Sequence, residues 1–391
     1  MELSKEEQAM FDGERGEAAR ESMEILVALG RIYCAERMVP VSSAQVSGVS
    51  FKTIGQAGLE YLQGLAIKGA RTRIPTFLNP AGMDAEQWKE MGVPEDFAMK
   101  QIAILDAYSG MGIMKTCTCT PYFIGIRPGR GEHVAWAESS AVAFANSVLG
   151  ACTNREGGPS ALAAAICGVT PYYGLHAPEN RVARLVVDVS GCELRTTADF
   201  GALGYAIGSM AKDRYPAFTG MNRASEEQLK VLGASMAATG SVPLFFAKGI
   251  TPEWSVAEDA EAVPFGAKEL AAEKGRMDCA AKPDLVTIGC PHASLNEIRE
   301  VARMVSERKP TCGFWVCTAR KTKDEAVRLG YARDIEAAGG KVVADTCMVV
   351  CPLEQMGYRV TGTNSGKAAK YLPNLCRQRV AFGDIGDILY R

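Results

Sequence analysis

The sequence predicts an α/β fold: several α/β units whose parallel sheets surround a central cleft. Three observations carry this reading. From Asp284 to Pro352 the chain alternates strand, helix, strand, helix, strand, with β-branched or aromatic runs at Asp284–Gly289, Gly313–Val316 and Lys341–Asp345. Earlier, Leu185–Val189 and Pro243–Ala247 are further apolar runs, with a glycine-rich helical pattern at Asp199–Ala211 between them. The composition is that of a globular protein, 47% apolar and 23% charged over 391 residues. Alternating strands and helices pair in parallel through right-handed crossovers. Such sheets bind ligands outside the carboxyl ends of their strands.

Taken in order, Ser4 and Glu7 form a capping box for a first helix. A second helix runs from Glu17 to about Ala35, with Met23, Leu26, Val27, Gly30 and Tyr33 at helical spacing. Val41–Thr53 is small, polar and glycine-containing. It reads as a surface connection or as a substrate loop with Lys52 and Thr53 at its end. Arg73–Pro80 is strand-like and stops at a turn signal, and a helix follows near Glu95–Gly110. In Thr116–Tyr122 the cysteines 117 and 119 are expected to face opposite sides, so that the segment offers one thiol to any site. Glu138–Ser147 is a small-residue helix leading to the polar, glycine-rich run 151–159, and Ser160 opens the next helix. A loop of this kind gathers backbone N–H groups and a positive helix end, which suits phosphate or carboxylate, and Arg155 adds a planar fork of donors. A tight turn with an exposed arginine accounts for the same residues. From about Thr251 to Pro283 the chain reads as a polar connection and a helix. Helices at Ser294–Lys309 and Lys323–Ala338 carry the last crossovers, and Thr361–Lys367 is a second anion-friendly loop. The chain divides into an N-terminal helical and α/β part (1–115), a central α/β domain with the substrate loop (116–265) and a C-terminal doubly wound domain (266–391).

A net charge of -2, without any block of like charge, gives no field for nucleic acid or an anionic membrane. No apolar stretch is long enough to span a bilayer, and the charged start Met1–Glu7 lacks a signal-peptide core, so a cytoplasmic location is expected. Thirteen cysteines in that compartment are thiols, not a disulfide framework, and most of them read as small buried hydrophobes. Three strand ends nevertheless deliver Cys290, Cys317 and Cys347 to one sheet edge. No Cys-x-x-Cys pair is present, which disfavours zinc and a redox dithiol, and no Gly-x-Gly-x-x-Gly follows a strand. Widely spaced thiolates suit an iron–sulfur cluster. A cluster held by three of them keeps one iron open as a Lewis acid, and elimination of water is the reaction class that follows. A non-catalytic scaffold with inert buried thiols is the competing reading.

Six motifs go further: Ser47–Gly55, Cys119-Thr-Pro-Tyr122, Asn146–Gly157, Gly289-Cys-Pro-His292, Asp345-Thr-Cys347 and Asn364-Ser-Gly-Lys367. Together they resemble the large subunit of the aconitase X family over nearly the whole chain. The resemblance implies an aconitase-like fold around a cluster cleft and a hydro-lyase activity. It implies an iron–sulfur cluster, [4Fe-4S] or its oxidised [3Fe-4S] form, held by Cys119, Cys290 and Cys347; Cys317 and Cys351 lie outside the motifs. It assigns substrate binding to Lys52, Thr53, Ser147, Asn154, Arg155, Glu156, Ser365 and Lys367. Family members carry a small swivelling domain on the same chain or as a separate small subunit. The chain reaches Arg391 without it, so the resemblance implies a heterodimer whose small subunit supplies the serine that handles the proton. Two family substrates are known: mevalonate 5-phosphate, dehydrated to trans-anhydromevalonate 5-phosphate in the archaeal mevalonate pathway to isoprenoids, and cis-3-hydroxy-L-proline. The two-subunit layout and the run Ile25–Tyr33 favour the first.

Overall fold

The computed structural model describes residues 1–391. Its strands form three parallel sheets and one short antiparallel ribbon, Met38–Pro40 against Val169–Pro171. The first sheet flanks β1 (Ala44–Val46) with β2 (Thr76–Leu78) and β3 (Ala135–Trp136). The second comprises β4 (Ala183–Asp188), β5 (Tyr215–Thr219), β6 (Phe246–Ala247) and β7 (Val256–Pro264), in the order β6-β5-β4-β7. The third comprises β8 (Leu285–Ile288), β9 (Gly313–Thr318), β10 (Gly340–Ala344), β11 (Val360–Thr363) and β12 (Arg379–Phe382), in the order β10-β9-β8-β11-β12.

That last order is doubly wound. The chain starts in the middle at β8, winds outward to β10, then returns to lay β11 on the other side of β8. The crevice between the carboxyl ends of β8 and β11 is the topological switch point, where such sheets take their ligands. Cys290 lies two residues beyond β8, and Ser365, Gly366 and Lys367 lie just beyond β11.

Several local expectations are corrected. Val41–Thr53 is not an open loop: it contains the buried β1, and Lys52 and Thr53 lie in the first turn of helix Phe51–Ile67, capped by Ser50. The stretch 251–283 holds, besides helix Ala267–Met277, the nine-residue β7. Its Glu258, Asp259 and Glu261 hid it, and they are tolerated because β7 is an edge strand with both faces half-exposed. The single helix expected at Lys323–Ala338 is two, Arg320–Arg328 and Tyr331–Ala337, parted at Gly330 with φ 83°. Only Phe246–Ala247 of the run 243–247 pairs as strand, and Thr361–Thr363 belongs to β11.

One apolar core of 39 buried residues takes members from all three parts, including Met83 and Phe97, Leu185 and Phe200, and Leu285 and Phe382. The sheets are therefore packed as one body, and the cleft between them is set by core packing.

Candidate active site

Three chain segments bring thiols to the switch point. β8 is followed by Gly289, whose φ is 97°; a Cβ added there would lie 2.1 Å from the Cys317 carbonyl oxygen, so only glycine makes this turn. The turn delivers Cys290, which is buried. Cys347 follows β10, is partly buried and donates its N–H to the Ala81 carbonyl at 3.0 Å. Cys119 is buried, and its Sγ accepts the backbone N–H of His292 at 3.2 Å. Its neighbour Cys117 turns the other way, into the core with Leu78, Ile104 and Leu162. Cys317 lies inside β9 and Cys351 is fully buried, and Lys367, which acts on the other three thiols, acts on neither. All thirteen cysteines are free thiols.

A buried ion pair sits among the three thiols. The Lys367 ammonium pairs with Glu138, and both side chains are about nine-tenths buried. Glu138 caps helix Ser139–Phe144 and also accepts from Asn79 Nδ2 at 2.6 Å. Burial alone would raise the Glu138 pKa, but Lys367 overrides it and holds the carboxyl at about 2. Burial opposes the Lys367 charge too; Glu138 first, then Cys290, Cys119 and Cys347, raise it well above the ordinary lysine value. The thiols respond in kind. Burial pushes Cys119 up to about 12 and Cys290 and Cys347 upward as well, while Lys367 pulls against it at all three. Close approach of the Lys367 helix needs Gly366, where a Cβ would meet the Gly201 carbonyl oxygen at 2.6 Å.

Ion pair and thiol open on a cavity of about 360 Å³, lined among others by Ser47, Thr53, Glu138, Arg155, Cys347 and Lys367. This is within the size range of small-molecule sites. A larger cavity of about 670 Å³ opens between the loops after β4 and β5, but it holds none of the three thiols and no buried ion pair.

The eight substrate-binding candidates fall into two groups. Thr53, Arg155 and Lys367 line the cavity, and Arg155 is exposed with no ion pair or hydrogen bond of its own. Ser365 caps helix Gly366–Cys376 and faces the Cys290 thiol. The other four side chains are committed to the fold. Lys52 bridges to Glu354 at 2.7 Å and to the Cys351 carbonyl at 3.0 Å. Ser147 accepts from Phe245 N, and Asn154 binds Tyr173 O and Leu175 N. Glu156 accepts from Ser160 and Thr170, and burial raises its pKa above the ordinary carboxyl value. Glu138, Asn79 and His292 are the site residues that the sequence reading missed. Glu138 could have been found as the residue capping a helix before Ser139; Asn79 carries no local signal.

The donor set fits an iron–sulfur cluster. Three free thiols from separate loops surround one ammonium, and thiolate-only sets select soft, sulfur-rich iron. No three His, Cys, Asp or Glu side chains are close enough to hold a single metal ion. Lys367 offsets part of the negative charge that such a cluster brings into a buried site.

Comparison with known proteins agrees with this architecture. Three family models cover the chain: Aconitase X first domain over residues 1–179, second domain over 183–275 and third domain over 283–391. The phosphomevalonate dehydratase large subunit of Methanothermobacter thermautotrophicus is 54% identical over 386 residues, 98% of this chain and 96% of its own. The cis-3-hydroxy-L-proline dehydratase of Pseudomonas aeruginosa is 33% identical over 394 residues, 97% of this chain but 68% of its own. The crystal structure of Thermococcus kodakaraensis aconitase X, described as the holo-form, superposes with a TM-score of 0.94 at 43% identity, covering 100% of this chain and 99% of that one. The chain belongs to the aconitase X family.

Proposed function

We propose that this chain is the large subunit of a phosphomevalonate dehydratase, a hydro-lyase that removes water from mevalonate 5-phosphate to give trans-anhydromevalonate 5-phosphate in isoprenoid biosynthesis. Relatives of that name reach 54% and 48% identity over nearly the full length of both chains, against 33% for the hydroxyproline enzymes. The observation in the structure that carries the reading is the cavity itself: a buried Lys–Glu pair beside a thiol, with a free guanidinium at the same cavity. These relatives are dehydratases by name, which leaves no place for the non-catalytic scaffold reading.

In this reading Cys119, Cys290 and Cys347 hold a [4Fe-4S] cluster. When bound, the cluster supplies Lewis acidity at an iron without a protein ligand, toward the substrate hydroxyl. The chain's own residues do the rest. Arg155 offers its fork of donors to the phosphate, which a point charge orients less well. Glu138 stays ionised and holds Lys367 as a cation, which acts on the three thiols from the wall of the cavity. Burial of the pair keeps bulk water from screening it. Glu138 is a poor acceptor for the proton on the carbon next to the carboxylate, because its pKa lies at about 2 and its oxygens are occupied by Lys367, Asn79 and Ser140. We propose that the base is supplied by a small subunit completing a cytoplasmic heterodimer, in keeping with relatives named as large subunits.

The test is anaerobic turnover by this chain reconstituted with iron and sulfide and combined with its small-subunit partner. Mevalonate 5-phosphate should be dehydrated and cis-3-hydroxy-L-proline should not. The opposite preference overturns the substrate assignment, and turnover of neither overturns the activity.

A further inference from the structure

His292 makes contacts that neither the fold nor the reaction explains. Its side chain is 1% exposed, and every polar atom of the residue is engaged. The ring Nε2 lies 2.9 Å from the Thr346 carbonyl oxygen, which only accepts, so Nε2 carries the proton. In the neutral ring Nδ1 is then an acceptor, and it takes the Thr118 hydroxyl at 3.1 Å. Thr118 Oγ1 in turn accepts the Thr120 N–H at 3.1 Å. The backbone N–H of His292 donates to Cys119 Sγ at 3.2 Å, and its carbonyl accepts from the buried Lys230 ammonium at 3.2 Å. One residue thus ties together the segment 118–120 around Cys119, its own segment beginning at Cys290, and the segment ending at Cys347.

We propose that His292 is a positioning residue for the three-cysteine site, a clamp that fixes the mutual placement of Cys119, Cys290 and Cys347. The proposal rests on the cluster reading above. Partners that orient metal ligands from behind typically cost about 10–100-fold in metal retention when removed. Loss of both ring bonds frees Thr346, next to Cys347, from Thr118, next to Cys119.

The test uses the two-subunit complex reconstituted anaerobically with iron and sulfide, and reads the rate at which visible absorption is lost to a ferrous chelator. His292→Ala should lose iron about 10–100-fold faster than the unsubstituted complex. Thr118→Val, which removes only the hydroxyl that Nδ1 accepts, should speed loss by a smaller factor and covers the case in which His292→Ala does not fold. Val301→Ala, in the buried face of helix Leu295–Glu307, serves as a comparison that destabilises without touching the clamp. Iron retention in both His292→Ala and Thr118→Val within about twofold of the unsubstituted complex overturns the clamp. So does a Val301→Ala complex that loses iron as fast as His292→Ala. If the unsubstituted complex takes up no iron and sulfide, the cluster reading has failed instead.

Discussion

The buried pair of Lys367 and Glu138 makes the most quantitative prediction. In Lys367→Met the Glu138 carboxylate keeps its burial and loses its counter-charge. The native carboxyl sits at about 2 against an ordinary 4.5. The difference of about 2.5 pKa units corresponds to roughly 3 kcal/mol of stability at neutral pH. With the pair side chains only 7% and 11% exposed, solvent screening takes little from that figure. It agrees with the cost of about 3–5 kcal/mol for breaking a buried pair from one side. The sign of the pH dependence changes as well. In the native chain this carboxylate's contribution is full above pH 4.5 and fades as pH falls toward 2. In Lys367→Met burial dominates and raises the Glu138 pKa above its unfolded value, so stability is lost as pH rises through it. Denaturant unfolding of the cluster-free chain between pH 3 and 8 measures both. Adding Glu138→Gln to Lys367→Met should recover much of the loss, because no lone charge is left buried. A Lys367→Met midpoint within about 1 kcal/mol of native, with an unchanged pH profile, would refute the reasoning.

Four further outcomes follow. Cys290→Ala should abolish the visible absorption of the reconstituted protein, whereas Cys317→Ala and Cys351→Ala should retain it, because Lys367 acts on Cys119, Cys290 and Cys347 but on neither of these thiols. Arg155→Ala should raise KM for mevalonate 5-phosphate about 10–100-fold, the loss of a charge-assisted contact of about 1.5–3 kcal/mol, with kcat changed far less; an unchanged KM removes Arg155 from the phosphate site. His176 is buried, its Nδ1 is 2.9 Å from His133 Nδ1, and burial lowers its pKa to about 3. The unfolded chain binds this proton near pH 6.5 and the folded chain does not. Stability should therefore fall as pH drops from 6.5 toward 3, by roughly 5 kcal/mol at the lower end, and His176→Phe should flatten that part of the profile. Lys230→Met should destabilise the chain by about 3 kcal/mol or more, since it strips Glu297 of its partner across the second and third parts of the fold.

The parts of this protein that were legible in its sequence are those with a local cause. The strands carrying Cys290 and Cys347 announce themselves as β-branched runs, and the capping box of Ser294 and Glu297 marks the helix after Cys290. The opposite facing of Cys117 and Cys119 has no such cause: residues two apart share a face in an extended chain, and here the positive φ of Cys117, 41°, turns its side chain into the core. What was missed depends on contacts distant in sequence. Lys52 reads as a free cation until Glu354 is folded against it. Glu138 is one acidic residue among many until Lys367 arrives, and His292 has no sign of its role until Thr118 and Thr346 flank it. Edge strand β7 was hidden for the reverse reason: its solvent-facing charges imitate a connection.

The central claim is that Cys119, Cys290 and Cys347 hold one cluster with an iron open to the substrate. Electron paramagnetic resonance of the reduced, anaerobically reconstituted complex, recorded with and without mevalonate 5-phosphate, tests it most directly. The g-values of the cluster signal should move when the substrate is added. A signal indifferent to substrate, or one that survives in Cys290→Ala, would contradict it.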